Sequence, residues 1–200
     1  MKARNNPFRT DRVLEVRYRL RGVSLTDLLH RLQRLSYRAA IVGPNGSGKT
    51  TLLEDLEPEI CALGFRVKHL RLDDQKRNFP NAFIKMFLAE LSAQDFIFFD
   101  GAEQMSALKW HAFKAKSRKA GGLLITSHAK GMLPTLTVCS TSPELLEEIV
   151  SDLLNGESLM SLPSTTKLFR KHDGNLRGAL REMYDIYAAK PHINPSAVGD

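Results

Sequence analysis

Hydrophobic and polar residues follow two alternating patterns along most of the chain. From residue 38 onward, short apolar runs of strand length are separated by amphipathic stretches of helix length. Strands are predicted over residues 38–42, 65–72, 95–100, 122–127 and 136–140. Helices are predicted from Lys49 to about Leu63, after Pro80, and over residues 107–119. This alternation is typical of an α/β fold in which helices cover both faces of a parallel five-stranded sheet.

The first 37 residues show a different pattern. Residues 14–21 alternate apolar and charged side chains, which predicts a half-buried strand with three arginines on its solvent side: Arg17, Arg19 and Arg21. Ser24 is then a predicted helix cap. The residues that follow it place five leucines on one helix face: Leu25, Leu28, Leu29, Leu32 and Leu35. Residues 1–37 are therefore predicted to form a basic strand–helix extension before the core.

The positive charge of the chain is concentrated in this extension. The formal net charge is +7, and residues 41–200 contain equal numbers of basic and acidic residues. An arginine row can contact nucleic acid, an acidic protein partner or the phosphates of a nucleotide, and it can also be a solvated face. No apolar run is long enough to span a membrane, so we expect a cytoplasmic protein. The two cysteines, Cys61 and Cys139, are expected to be buried and reduced.

The most specific motif lies between the first predicted strand and the first long helix. Residues 43–51 read Gly-Pro-Asn-Gly-Ser-Gly-Lys-Thr-Thr and match the phosphate-binding template G-x-x-x-x-G-K-[ST]. Glycines allow backbone N–H groups to point at phosphate oxygens, and the start of the helix adds partial positive charge. Lys49 is predicted to reach the β and γ phosphates, and Thr50 to ligate Mg²⁺. The predicted nucleotide contacts are Asn45, Gly46, Ser47, Gly48, Lys49, Thr50 and Thr51.

Polar residues at the ends of two later strands supply further candidates. Asp100 ends the apolar run of residues 96–99, which is the Walker B pattern, and is predicted to help hold the magnesium. Glu103 is a candidate for the carboxylate that orients or deprotonates an attacking water. His128 follows the fourth strand and is a candidate for sensing the γ phosphate. Each has a simpler interpretation: a turn cap for Asp100, and an ordinary loop residue for Glu103 and His128.

These motifs together resemble a known family. Residues 38–142 resemble the three-layer core of a P-loop NTPase of the additional-strand division, in which Walker A, Walker B and a polar sensor follow on successive strands. The phosphate loop and the Thr126-Ser127-His128 ending are similar to those of ABC ATPases, but no ABC signature precedes Asp100. No Asn-Lys-x-Asp guanine motif occurs. The resemblance therefore implies ATP and Mg²⁺ as the bound nucleotide and metal.

The C-terminal segment, residues 143–200, resembles the small helical lid of AAA-type ATPases. Ser142 and Asn175 are predicted helix caps, and helices are predicted near 143–155 and 165–172 and after residue 175. The Gly174-Asn175-Leu176-Arg177 run is similar to the AAA-type sensor 2. This resemblance implies that Arg177 reaches the nucleotide phosphates.

The sequence favours one function and leaves two alternatives open. The main hypothesis is an Mg²⁺-dependent ATPase that acts as a switch or assembly factor on a protein partner. A motor is disfavoured because residues 129–134, where such ATPases carry a trans-acting arginine, contain none. The second hypothesis is a small-molecule or nucleotide kinase, which would need an acceptor pocket near Asp73 or Asp74. The third is a non-catalytic module that binds ATP or, through the basic extension, nucleic acid.

Overall fold

A five-stranded sheet forms the centre of the molecule. The computed structural model describes residues 6–155 and 163–189. The strands are β1 (Arg38–Val42), β2 (Arg66–Arg71), β3 (Asp95–Asp100), β4 (Gly122–Ser127) and β5 (Thr135–Val138). Every pairing is parallel, and the order across the sheet is β2-β3-β4-β1-β5. The predicted parallel five-stranded sheet is thus confirmed, with strand ends within two residues of those expected.

Helices connect the strands and cover both faces of the sheet. They are α1 (Thr10–Glu15), α2 (Leu25–Arg34), α3 (Lys49–Ala62), α4 (Asn81–Ala89), α5 (Ala107–Lys116), α6 (Pro143–Leu154), α7 (Thr165–Lys171) and α8 (Leu176–Ala188). Ala40, Ile97 and Phe99 belong to the apolar cluster under α4 and α5. Their strand neighbours Phe96 and Phe98 belong to the opposite cluster, with α2 and α3. The alternation buries both faces of the sheet and produces the predicted three-layer α/β fold.

The helix that follows Ser24 forms as the leucine pattern predicts. The Ser24 hydroxyl accepts a hydrogen bond from the Asp27 backbone N–H, and the Asp27 carboxylate accepts one from the Ser24 backbone N–H. This reciprocal capping box satisfies two N–H groups that a helix start would otherwise expose. Leu28 and Leu32 are fully buried against the sheet, and the other three leucines are partly buried beside them.

The predicted strand over residues 14–21 is wrong. Residues 10–15 form α1, and no strand occurs between Val16 and Gly22. The alternating pattern has another cause: Tyr18 and Leu20 pack into the α2–α3 cluster, although this stretch of chain has no sheet partner. Asp55 supplies the missing hydrogen bonds: its carboxylate accepts from the Tyr18 backbone N–H and from the Arg17 guanidinium, both at 2.7 Å. The three arginines therefore do not form a strand face.

Contacts divide the chain into two compact units, and one of them is discontinuous. Arg17–Ser140 form the unit with the sheet, whereas the described residues of Met1–Val16 and Thr141–Asp200 form the other. In the second unit, Phe8 is buried among the apolar residues of α6, α7 and α8, and its ring packs edge-on against Tyr187 at 6.0 Å. The Asn6 side chain donates a hydrogen bond to the Tyr184 carbonyl. The division into 1–37, 38–142 and 143–200 stays a prediction about domains.

The two cysteines differ in their exposure to solvent. Cys139 is buried as expected, but the prediction is wrong for Cys61, which is exposed on the last turn of α3.

Among residues 6–155 and 163–189, no helix combines the length and the apolar character that a membrane crossing requires.

Candidate nucleotide site

The phosphate-binding loop lies at the carboxyl end of β1 and leads directly into α3. Gly48 is the N-cap of α3 and has a left-handed backbone with a φ of 82°, which glycine adopts without steric cost. Gly46 is also left-handed, with a φ of 71°. Because a glycine cap has no side chain to bond to the first N–H groups of the helix, those groups are available to an anion. The geometry is that of a phosphate cradle.

The loop has no room for larger residues at two of its glycines. A Cβ atom on Gly43 would lie 2.5 Å from the Cys139 carbonyl oxygen, and one on Gly48 would lie 2.8 Å from the Tyr18 ring. Tyr18 therefore packs directly on the loop, and it belongs to the same apolar cluster as Cys139. Burial raises the pKa of the Tyr18 hydroxyl and of the Cys139 thiol, so both groups stay protonated at neutral pH.

The side chain of Lys49 lies within the curve of the loop. Its Nζ donates hydrogen bonds to the carbonyl oxygens of Gly43 and Pro44, each at 2.7 Å, and the residue is 8% exposed. A buried ammonium is stable only when it is hydrogen-bonded or paired with a negative group. The loop thus holds a positive charge where the template places the β and γ phosphates.

Asp100 brings together residues from three segments at the sheet edge. The Thr50 hydroxyl donates to one Asp100 oxygen at 3.0 Å, and the Thr126 hydroxyl donates to the other at 2.6 Å. Thr126 also accepts a hydrogen bond from the Gly101 backbone N–H at 2.8 Å. The structure therefore places the two predicted metal ligands, Thr50 and Asp100, in direct contact, although β4 separates β1 from β3 in the sheet.

Two residues of this cluster were not predicted as site residues. Thr126 is a polar side chain near the end of the apolar β4 run, and that break in the pattern was a usable signal. Arg71 ends β2, and its Nε lies 3.8 Å from an Asp100 oxygen. Arg71 lies near Asp100 because β2 pairs with β3, and the sequence has no local signal for that pairing.

Glu103 and His128 form a second pair beside the Asp100 cluster. Glu103 lies in a single 3₁₀ turn, Ala102–Gln104, and its Oε1 is 3.1 Å from His128 Nε2. The other Glu103 oxygen is buried and has no protein hydrogen-bond partner. Gly101, which precedes the turn, is left-handed, and a Cβ atom there would overlap the Leu72 carbonyl. The glycine therefore permits the tight turn that directs Glu103 toward His128.

Arg177 lies in the discontinuous unit, in the first turn of α8, and its side chain is exposed. The predicted cap of this helix is confirmed, because the Asn175 side chain accepts a hydrogen bond from the Gly178 backbone N–H at 3.0 Å. Ser142 caps α6 in the same way through the Leu145 N–H. The role of Arg177 toward nucleotide stays a prediction.

The donor set fits magnesium bound to a nucleotide. Within the described part of the chain, no group of three or more His, Cys, Asp or Glu residues could hold a metal ion alone. The site instead combines one carboxylate, Asp100, with one hydroxyl, Thr50. Magnesium keeps several waters and takes phosphate oxygens together with only one or two carboxylates. The residues present therefore fit a magnesium ion that arrives with nucleotide phosphates.

Comparisons with known proteins support this fold at low sequence identity. No family model matches the chain, and no curated protein matches it. A structure of the Thermotoga maritima RuvB Holliday junction branch migration motor is 17% identical, with a TM-score of 0.52, and the alignment covers 79% of this chain and 58% of that one. A RuvB variant from the same organism is 15% identical, with a TM-score of 0.51, and the alignment covers 80% of this chain and 61% of that one.

The chain thus spans less than two thirds of the RuvB chains it resembles. At this identity the likeness concerns the fold alone. With the phosphate loop and the parallel sheet, it defines the chain as an α/β protein with the P-loop NTPase fold.

Replacing Thr126 by valine is expected to destabilise the site without enlarging a side chain. The change leaves the buried Gly101 N–H without its acceptor, at a cost of about 1–3 kcal/mol. For a chain of this size the melting temperature should fall by about 2–4 °C for each kcal/mol. Thr126→Ser, which keeps the hydroxyl, should melt close to wild type. Equal melting of the valine and serine variants would show that the hydrogen bond contributes nothing measurable.

Proposed function

We propose that the protein is an Mg²⁺-dependent ATPase that works as a nucleotide-driven switch or assembly factor on a protein partner. The observation that carries this proposal is the contact between Thr50 and Asp100, supported by Thr126. These residues come from segments far apart in sequence. Their hydroxyl and carboxylate oxygens converge next to a loop whose geometry suits phosphate.

The residues of the site have distinct roles in this proposal. The backbone of residues 45–51 binds the phosphates, and Lys49 opposes the negative charge of the β and γ groups. Thr50 and Asp100 hold the metal, and Thr126 fixes the orientation of the Asp100 carboxylate. Magnesium, when bound with ATP, neutralises the charge that develops on the phosphates.

Glu103 is the proposed base that orients and deprotonates the attacking water. Its contact with His128 and its second, unpartnered oxygen support this assignment. A buried carboxylate oxygen without a protein partner is uncommon and is able to accept a hydrogen bond from water. In this proposal His128 holds the first oxygen, and the second receives the proton from water.

The strand order supports the additional-strand division of P-loop NTPases. β4 lies between the strand that leads to the phosphate loop and the strand that ends in Asp100. Within this division, the absence of a guanine motif favours ATP, and we propose a cytoplasmic location. The link of residues 129–134, which has no arginine, favours a switch over a ring motor.

The assignment of Arg177 rests on its resemblance to sensor 2 and can be tested separately. Arg177→Ala is expected to reduce the nucleotide-induced protection of residues 143–189 in hydrogen exchange, because the guanidinium that would contact the phosphates is removed. Arg181→Ala, one turn later on α8, is the matched control. Identical exchange with and without ATP in the wild-type protein would remove the lid assignment.

The kinase alternative receives no support from its expected acceptor residues. The Asp73 carboxylate accepts hydrogen bonds from the backbone N–H groups of Gln75 and Lys76. These bonds hold its pKa below the usual range and make Asp73 a turn cap. Asp74 lies 3.7 Å from Arg77. Both carboxylates therefore stabilise the loop after β2.

Phosphate release from ATP distinguishes the functions. The ATPase proposal expects release with ATP and Mg²⁺ alone, lost when the metal is chelated. A kinase would instead transfer phosphate only when an acceptor is present, so the same measurement is repeated over a panel of nucleoside monophosphates and sugars. Binding without release under any condition would favour the non-catalytic module.

A further inference from the structure

A cavity opens between α4 and α5, on the face of the sheet that these helices cover. Its volume is about 190 Å³, and its apolar residues include Phe79, Ile84, Leu88, Met105 and Phe113. Ligand pockets for small molecules are usually larger, about 300–1,000 Å³. The cavity is therefore small for a nucleotide-sized acceptor and suits a few apolar side chains of a protein.

The cavity has the form of a groove between two helices. On α4 it is lined by Asn81, Ile84 and Leu88, which are three and four residues apart. On α5 it is lined by Lys109, Ala112, Phe113 and Lys116, again at helical spacing. Both helices connect parallel strands on one face of the sheet, so they run side by side in the same direction. A groove with this geometry accepts a third helix.

The helices that border the groove are basic. Within Asn81–Ala89 and Ala107–Lys116 there are four lysines and no Asp or Glu: Lys85, Lys109, Lys114 and Lys116. Lys109 and Lys116 stand at the groove two helical turns apart, about 10 Å along the axis. The Lys109 ammonium is held there by a hydrogen bond to the Asn78 side chain at 2.9 Å. The charge of the rim therefore complements an acidic segment.

Helices α4 and α5 also expose apolar side chains outside the groove. Phe83 is 41% exposed and Met86 is 59% exposed on α4, and Leu108 is 82% exposed on α5. The Phe83 ring lies between those of Phe79 and Phe87, with centroids 5.6 and 6.2 Å away. Exposed aromatic and methionine side chains are enriched at protein interaction surfaces.

We propose that the α4–α5 groove binds an acidic amphipathic helix of a partner protein. The apolar stripe of that helix enters the groove, and its acidic residues face Lys109 and Lys116. A switch that acts on a protein partner needs a surface that binds the partner, and the groove supplies one. In this respect the proposal rests on the proposed function. An apolar floor favours protein over nucleic acid, because phosphate contacts gain nothing from the partly buried Ile84 and the buried Leu88.

The test measures binding of two synthetic peptides by fluorescence anisotropy, without nucleotide. One is an amphipathic helix of about 18 residues with leucine on one face and glutamate on its flanks. The other has lysine in place of every glutamate. The wild-type protein is expected to bind the acidic peptide about tenfold more tightly, and the difference should shrink as salt rises. Single-stranded DNA serves as a third probe.

Two pairs of variants locate the binding site. The double variant Lys109→Glu with Lys116→Glu should weaken binding of the acidic peptide about tenfold and strengthen binding of the lysine peptide. The control double variant, Lys114→Glu with Lys119→Glu, changes the net charge by the same amount outside the groove. Ala112→Trp should fill the groove and abolish peptide binding. Ala115→Trp, exposed on the same helix but outside the groove, should not.

Several results would overturn the proposal. These are equal binding of both peptides, no binding of either, or binding that Ala112→Trp leaves intact. Binding of DNA but not of the acidic peptide, lost in the Lys109 and Lys116 variant, would identify a nucleic-acid surface. Since no nucleotide is present, each outcome is independent of whether the protein hydrolyses ATP.

Discussion

Lys49→Ala is expected to remove measurable ATP binding at physiological Mg²⁺. Removing one partner of a buried charge pair costs about 2–5 kcal/mol, which corresponds to a loss of about 30-fold to 5,000-fold in affinity. The Lys49 ammonium donates hydrogen bonds to the carbonyls of Gly43 and Pro44, so its charge is in place before the phosphates bind. Isothermal titration calorimetry with ATP and Mg²⁺ measures the effect.

The control for this variant must separate lost charge from a damaged loop. Lys130→Ala removes an exposed lysine elsewhere in the same unit and should bind ATP as wild type does. Thermal melting shows whether the Lys49 variant remains folded. A folded Lys49→Ala protein with unchanged ATP affinity would contradict the assignment of residues 43–51 as the nucleotide site.

Glu103→Gln and Asp100→Asn are expected to separate turnover from binding. Loss of a general base typically lowers the rate by about 10²–10⁴-fold, so Glu103→Gln should bind ATP normally and release almost no phosphate. Asp100→Asn should instead weaken binding in the presence of Mg²⁺, because an amide is a poorer ligand for a hard cation. Calorimetry and phosphate release are measured on both proteins.

Gln104→Glu is a matched control, since it moves a carboxylate by one residue within the same 3₁₀ turn. When Gln104→Glu is added to the Glu103→Gln protein, ATP turnover should not return if the carboxylate must stand at residue 103. Wild-type hydrolysis by Glu103→Gln would place the base at another residue. Equal loss of binding in the Glu103 and Asp100 variants would mean that both carboxylates act on the metal.

The α/β class and the phosphate loop could be predicted because their signals are local. Strands β1, β3 and β4 contain short apolar runs, and the caps Ser24, Ser142 and Asn175 use side chains within three residues of the N–H groups they bond. The contact of Thr50 with Asp100 also followed from a general rule, since the carboxyl ends of parallel strands share one edge of the sheet.

What could not be predicted depends on which elements become neighbours. Arg71 lies near Asp100 only because β2 pairs with β3, and no residue in either strand specifies that pairing. The stretch of residues 14–21 has the period of a strand, but a strand also needs a partner for its backbone, and Asp55 takes that place for Tyr18. The groove between α4 and α5 likewise results from helix placement.

The discontinuous unit has a consequence for the order in which the chain folds. Its two pieces can meet only after the last helix has been synthesised, whereas Arg17–Ser140 has its complete sequence earlier. Tyr18 and Cys139, near the two ends of Arg17–Ser140, pack in the same apolar cluster. Once this unit has folded, the long loop between the two pieces is already closed, and Phe8 can reach α8 at a much smaller loss of chain entropy.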